Sequence, residues 1–160
     1  TQRCEQVFIY STTSVYQHGY SGQIIDERSA IDLSKNRAMA EENYRHQGAC
    51  LLTLCGIAGP DRSPIKWLNN GRIKNANKEV NLIHVDDIVS ITKLLLTQKL
   101  ACIRLNLAPG KTYSWREIAN ANGYVFSSEA MAETASMKLI QNTHLRHYLI
   151  DDYQFINPFD

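Results

Sequence analysis

A chain of 160 residues, 44% hydrophobic and 21% charged with 8 Gly and 4 Pro, has the size of one domain and apolar content for an ordinary core. Disordered, collagen-like and low-complexity classes are excluded. Seventeen Lys and Arg against sixteen Asp and Glu leave a net charge of +1, and no basic run points to nucleic acid or an anionic membrane.

The longest apolar stretches, such as Cys50 to Gly59, fall well short of the ~20 residues a bilayer span needs, and no signal peptide is visible. Four scattered cysteines do not make a disulfide framework, so a reducing cytoplasmic setting is expected. The chain starts at Thr1, not Met, with an apolar run almost at once, which reads as a piece of a longer or processed protein.

Val7-Phe8-Ile9-Tyr10 lacks polar alternation and predicts a strand buried on both faces. It ends in the hydroxyl cluster Ser11-Thr12-Thr13-Ser14, followed by a polar, Gly-containing loop from Gln17 to Ser29. Ile31 to Gln47 has no Gly or Pro and predicts a helix, with Asp32 or Ser34 as N-cap and Gly48 as its stop. Ala49 to Ile57 is a second strand-length apolar run, closed by Gly59-Pro60. Strand, helix and strand in this order define a βαβ unit with a right-handed crossover and a parallel sheet. Two strands do not make a stable parallel sheet, and the missing ones are expected before Thr1.

Further along, Pro64 to Gly71 predicts a short helix, Lys74 to Glu79 a polar loop and Val80 to Val85 an extended stretch. Asp86 or Asp87 would cap a helix reaching about Lys99, with Ile88, Ile91, Leu94 and Leu95 on one face. Cys102 to Leu107 predicts another strand. Ser114-Trp115-Arg116-Glu117 has the form of a capping box opening a helix to Asn122, and Ser136 to Leu149 predicts a last helix before the aromatic tail.

The hydroxyls of Ser11 to Ser14 stand at the carboxyl end of a parallel strand, where open α/β sheets bind ligands; on spacing alone, a Ser/Thr-rich turn closing the strand accounts for them better. His84 with Asp86 and Asp87 offers an acid–base pair, but two carboxylates opening a helix also satisfy its free N–H groups and dipole, which is the stronger reading. His144 and His147 have no third ligand nearby and read as solvated, and Asp151-Asp152 reads as an exposed acidic pair. Tyr113, Trp115, Tyr148, Tyr153 and Phe155 lack interleaved basic residues and read as core or interface. No G-x-G-x-x-G, G-x-x-G-x-x-G, P-loop or G-x-S-x-G occurs.

Together these segments resemble the NAD(P)-dependent nucleotide-sugar epimerase/dehydratase group of extended short-chain dehydrogenases. Val7 to Tyr16 is similar to that group's V-F-x-S-S-x-x-V-Y strand, and Asp26-Glu27 to its following acidic pair. Ala40-Glu41-Glu42 is similar to the A-E of its catalytic helix, Cys55 to Arg62 to G-I-Y-G-P-x-R, and Ile83 to Ile88 to I-H-V-D-D-I. Order and spacing hold from Val7 to Leu100.

The resemblance implies that the catalytic hydroxyl falls on Thr12. The Y-x-x-x-K pair, counted eight and four residues back from Glu41, falls on Leu33 and Arg37. Counting from Glu42 gives Ser34 and Ala38, and Lys35 has Ile31 four residues before it. No register supplies the tyrosine, so the chain resembles an atypical member. Leucine carries no exchangeable proton, and Arg37 supplies charge to a cofactor ribose without shuttling protons.

The implied fold class is α/β: residues 1–60 as the C-terminal part of a Rossmann-type doubly wound domain, and 61–160 as elements of a small α+β substrate lobe. A helix and strand at about 84–107 would return to the Rossmann domain. The implied activity is an NAD(P)-dependent epimerase, dehydratase or reductase acting on a nucleotide sugar or similar hydroxyl or carbonyl substrate. Thr12, Arg37, Cys55 and Gly56 would contact NAD or NADP, with most of that cofactor's site expected upstream of Thr1 and no metal. The expected partner is a small-molecule substrate, and a homodimer is compatible with the group. A non-catalytic NAD(P)-binding sensor or scaffold of the same fold is the alternative, and a fragment with no activity of its own is a third.

Overall fold

The computed structural model describes residues 5–132, 137–150 and 152–159. In chain order its strands are Phe8–Thr12 (β1), Gln23–Ile25 (β2), Cys50–Leu54 (β3), Gly56–Ala58 (β4), Glu79–Val80 (β5), Leu82–His84 (β6), Arg104–Leu107 (β7), Tyr113–Ser114 (β8) and Lys138–Ile140 (β9). Its helices are Asn36–His46 (α1), Pro64–Asn69 (α2), Val85–Leu96 (α3), Trp115–Ala121 (α4) and Ser128–Ala132 (α5).

A three-stranded parallel sheet, in the order β1-β3-β7, organises the molecule. Central β3 is buried from Cys50 to Thr53, and each leucine there contributes roughly 1.5–3 kcal/mol by leaving water. The strand at Val7 to Tyr10 is less buried than its composition predicts. It lies at the edge of the described sheet, and Val7 and Tyr10 are exposed.

The two faces of the sheet differ in chemistry. One carries Leu52 and Leu105, which pack with Ile88, Ile91 and Leu95 of α3; Tyr10 Oη and Thr92 Oγ1 meet at 2.8 Å on that side. The other carries the paired row Ser11, Thr53 and Asn106, all buried, and α1 covers it with Glu41. Helices on both faces of a parallel sheet define an α/β fold.

Smaller pairings surround the sheet: β2 with β9 and β4 with β6 in parallel, β5 with β8 antiparallel. A second core gathers Leu68, Trp115, Ile118 and Ala119, with Trp67 edge-on to Trp115 at 6.1 Å.

Several local expectations change. Helix α1 begins at Asn36, because Asp32 Oδ1 accepts from Ser34 N and Oγ and so stabilises a turn that competes with helix. Its N-cap is Lys35, not Asp32 or Ser34; its end at Gly48, with φ +106, is as expected. The run Ala49 to Ile57 divides at Cys55, since β3 pairs with β1 and β7 while β4 pairs with β6. His84 caps α3, its Nδ1 accepting from Asp86 N at 3.2 Å, in place of either aspartate, and the helix ends at Leu96. The Ser114–Glu117 capping box is present, its bonds running both ways. No helix spans Met137 to Leu149: β9 and a 3-10 turn at Leu145–His147 occupy it, and Ser136 lies outside the described residues.

Candidate active site

The carboxyl ends of β1 and β3 open on a cavity of about 410 Å³, lined by Thr13, Cys55 and Gly56 from those ends and by His18, Trp67, Lys78, Glu79 and Lys138, among others. Sites for small ligands typically measure about 300–1,000 Å³. This is also the end of a parallel sheet at which ligands bind.

The chain after β1 turns at once into a 3-10 segment, Thr13–Val15, capped by Thr12, whose Oγ1 accepts from Ser14 N at 3.4 Å. The hydroxyl keeps its own proton to donate. Two ammonium groups hold the neighbouring carbonyls: Lys35 Nζ donates to Ser14 O at 2.7 Å and Lys138 Nζ to Thr13 O at 3.3 Å. Lys35 also pairs with Asp32 at 3.1 Å. Burial, with Lys35 adding repulsion, holds the Lys138 ammonium below its ordinary pKa. Lys138 carries no local signal in the sequence, because its contact with Thr13 spans 125 residues of chain.

The residues singled out in the sequence fall in different places. Leu33 is exposed and lies in the turn ahead of α1, its N–H donating to Ile31 O. Arg37 points to β1: Nε meets Glu41 Oε1 at 2.8 Å and Nη2 donates to Tyr10 O at 3.2 Å, with the side chain 58% exposed. Cys55 lines the cavity as a buried thiol whose pKa burial pushes up. Gly56 is required by packing, since a Cβ there would stand 2.9 Å from Asn81 O and from Leu82 Cδ2.

Glu41 belongs to a buried polar network beneath the site. Ser11 Oγ donates to Glu41 Oε2, and Arg104 reaches Ser11, Thr53 and Glu42 at 3.3, 2.9 and 2.9 Å. Tyr16 lies under the Arg104 guanidinium and donates to Asn106 Oδ1 at 2.6 Å. Burial raises its phenol far above the ordinary value. Asp87 accepts from Tyr153 Oη and Ile156 N, tying the tail to α3. Among the described residues no His, Cys, Asp or Glu cluster could hold a metal ion, and no helix is long and apolar enough to cross a membrane.

This arrangement is an α/β fold with a cavity at the carboxyl ends of its parallel strands. No family model matches the sequence, and no curated protein does. Solved structures match it closely in shape. A protein of Methylobacillus flagellatus described as an NAD-dependent epimerase/dehydratase superposes with a TM-score of 0.73 at 22% identity, over 96% of this chain and 60% of that one. dTDP-glucose 4,6-dehydratase of Bacillus anthracis, in complex with NAD, gives 0.66 at 14%, over 96% and 58%. A functionally unknown conserved protein of Silicibacter pomeroyi gives 0.69 at 20%, over 89% and 59%. The chain thus spans about 60% of the length of these structures and shares their fold.

Proposed function

We propose that the protein acts as an NAD(P)-linked epimerase, dehydratase or reductase on a nucleotide sugar or related hydroxyl or carbonyl compound. The observation that carries this reading is the cavity at the ends of β1 and β3, lined by Thr13 and Lys138 beside the turn that Thr12 caps and Lys35 bonds at Ser14 O. The similar structures bound to NAD, and one bound to both NAD and UDP-glucose, support the choice of cofactor and substrate class.

The residues present fit one end of a dinucleotide. The cavity and its hydroxyl and ammonium groups suit a nicotinamide riboside with the reacting carbon of a sugar, whereas the sequence has no glycine-rich loop for the pyrophosphate. Such a cofactor, when bound, accepts or supplies a hydride at the substrate carbon. The chain's part is positional and electrostatic. Thr12 Oγ1 donates to the substrate oxygen, and Lys35 and Lys138 favour negative charge developing there. The backbone at Cys55 and Gly56 closes the floor of the site. Arg37 reaches a ribose only by adding that bond to those with Glu41 and Tyr10 O. On the resemblance, the tyrosine position falls on Leu33, which has no exchangeable proton, so the proton is left to another group.

The test is cofactor-dependent turnover of UDP- and dTDP-sugars by the gene's full-length product. Saturable NAD or NADP binding without turnover of any substrate favours a non-catalytic sensor of the same fold.

A further inference from the structure

Lys138 stands apart from the other cations of the molecule. Its strand is held on both sides: β9 pairs with β2 through Gln23↔Lys138, Asn81 Nδ2 donates to the Lys138 carbonyl at 2.8 Å, and Asn81 Oδ1 accepts from Ile140 N at 2.8 Å. From that fixed backbone the side chain enters the cavity at the end of β1, half-buried, and gives one of its three N–H bonds to Thr13 O. The hydroxyls of Thr13 in the cavity wall and of Thr12 before it have too high a pKa to exchange a proton unaided near neutral pH. The Cys55 thiol in the same wall is pushed further from neutrality by burial. Leu33 offers nothing.

We infer that Lys138 is the proton-transfer residue of this site, its Nζ taking the proton of the substrate hydroxyl in oxidation and returning it to the carbonyl oxygen in reduction. The inference rests on the epimerase/dehydratase reading above. In oxidation the substrate O–H bond breaks and its proton goes to the neutral amine. The carbinol C–H bond breaks with its electron pair passing to an oxidised nicotinamide, so the carbinol becomes a carbonyl and the nicotinamide is reduced. The resulting ammonium releases the proton to water. The reverse direction starts from the ammonium.

The charged and titratable groups facing Lys138 are Lys35 with its partner Asp32, and His18, Lys78 and Glu79 of the cavity wall; Glu79 is itself hydrogen-bonded to Thr112. Burial, with the like charge of Lys35, lowers the Lys138 pKa and so favours the neutral amine that a base needs. Oxidation should therefore speed up as pH rises through the Lys138 pKa, and reduction should slow over the same range.

Two measurements on the full-length product separate this inference from the reading beneath it. The first is the pH titration of lysine Nζ signals by 15N NMR, assigned by Lys138→Met and run without cofactor. Lys138 titrating well below the surface lysines is expected; titration together with them overturns the inference, whatever the turnover. The second is turnover of wild type, Lys138→Met, Lys138→Arg and His18→Gln. Removing the proton carrier should cost about 10²–10⁴-fold in kcat with KM little changed, and Arg, which keeps the charge, should not rescue. Unchanged turnover in Lys138→Met, rescue by Arg, or loss of the pH limb in His18→Gln overturns the inference and leaves the reading standing. A wild type inert on every nucleotide sugar overturns both.

Discussion

Ser11 Oγ lies 2.5 Å from Glu41 Oε2, so this glutamate of α1 is committed to the buried face of the sheet. With Arg37 paired to the same carboxylate and Arg104 within 3.6 Å of it, this face is a charged layer enclosed between α1 and β1, β3 and β7.

Arg104 is the centre of the layer, with its side chain 4% exposed. Arg104→Met leaves Glu41 and Glu42 partly unpaired and Ser11 and Thr53 short of a donor. Removing one partner of a buried ion pair typically costs about 3–5 kcal/mol. Urea denaturation should show a loss of that order; a change below about 1 kcal/mol would mean that the layer is wetter or looser than described.

Glu42 makes the layer acid-sensitive. Burial alone would raise its pKa, but Arg45 and Arg104 outweigh it and hold the carboxyl below the ordinary value. A depressed folded pKa adds stability above the unfolded pKa, and that stability is lost as pH falls through the folded one. Stability of wild type should drop below about pH 4.5, the region of an unperturbed glutamate, more steeply than that of Glu42→Gln. Equal slopes in the two proteins would contradict the pairing.

Gly56→Ala tests the join between the strand end and the loop under it. The new Cβ would meet Asn81 O and Leu82 Cδ2 at 2.9 Å, which forces β4 and β6 apart at a cost of about 1–3 kcal/mol. Gly48→Ala meets nothing within 4 Å and pays only for φ +106, roughly 1–2 kcal/mol. The two variants should differ in cavity-dependent ligand binding even where their midpoints agree: Gly56→Ala weakens it and Gly48→Ala does not.

The 160-residue chain by itself should bind NAD(P)H weakly, because the sequence has no glycine-rich turn to bring backbone N–H groups to the pyrophosphate. Nicotinamide fluorescence should fail to saturate at sub-millimolar ligand; micromolar affinity would put the cofactor elsewhere on this chain.

The α/β order was legible because β1, α1 and β3 lie close in sequence and are punctuated by Gly48 and Gly59-Pro60. The Ser114–Glu117 box was legible for the same reason: its bonds span three residues. The features that failed depend on distant partners. Lys138–Ile140 is a strand because Gln23–Ile25 pairs with it, and nothing in Lys-Leu-Ile announces that pairing. A continuous apolar run such as Val7 to Tyr10 does not say whether a strand is central, and Val7 and Tyr10 are exposed. His84 escaped notice as a cap because aspartates normally fill that role and two follow it. At the site, the hydroxyl cluster was visible as composition, while its two lysines arrive from a turn and a far strand.

A tyrosine placed at position 33 is not expected to create a proton relay. Position 33 lies ahead of α1 and Arg37 faces Tyr10 O, so Leu33→Tyr with Arg37→Lys should change turnover less than tenfold. A gain of 10² or more would show that this turn rearranges in the working enzyme and delivers the phenol to the substrate.

Hydride chemistry at the end of β1 is read directly by deuterium tracing. The full-length product is incubated with 4-deuterated NADH or NADPH and a panel of 4-keto and unmodified nucleotide sugars, and the sugars are analysed by mass spectrometry. Deuterium entering the sugar carbon of at least one substrate, reduced at least tenfold by Thr12→Ala, is the result this account predicts. Saturable cofactor binding with no deuterium in any sugar would contradict it.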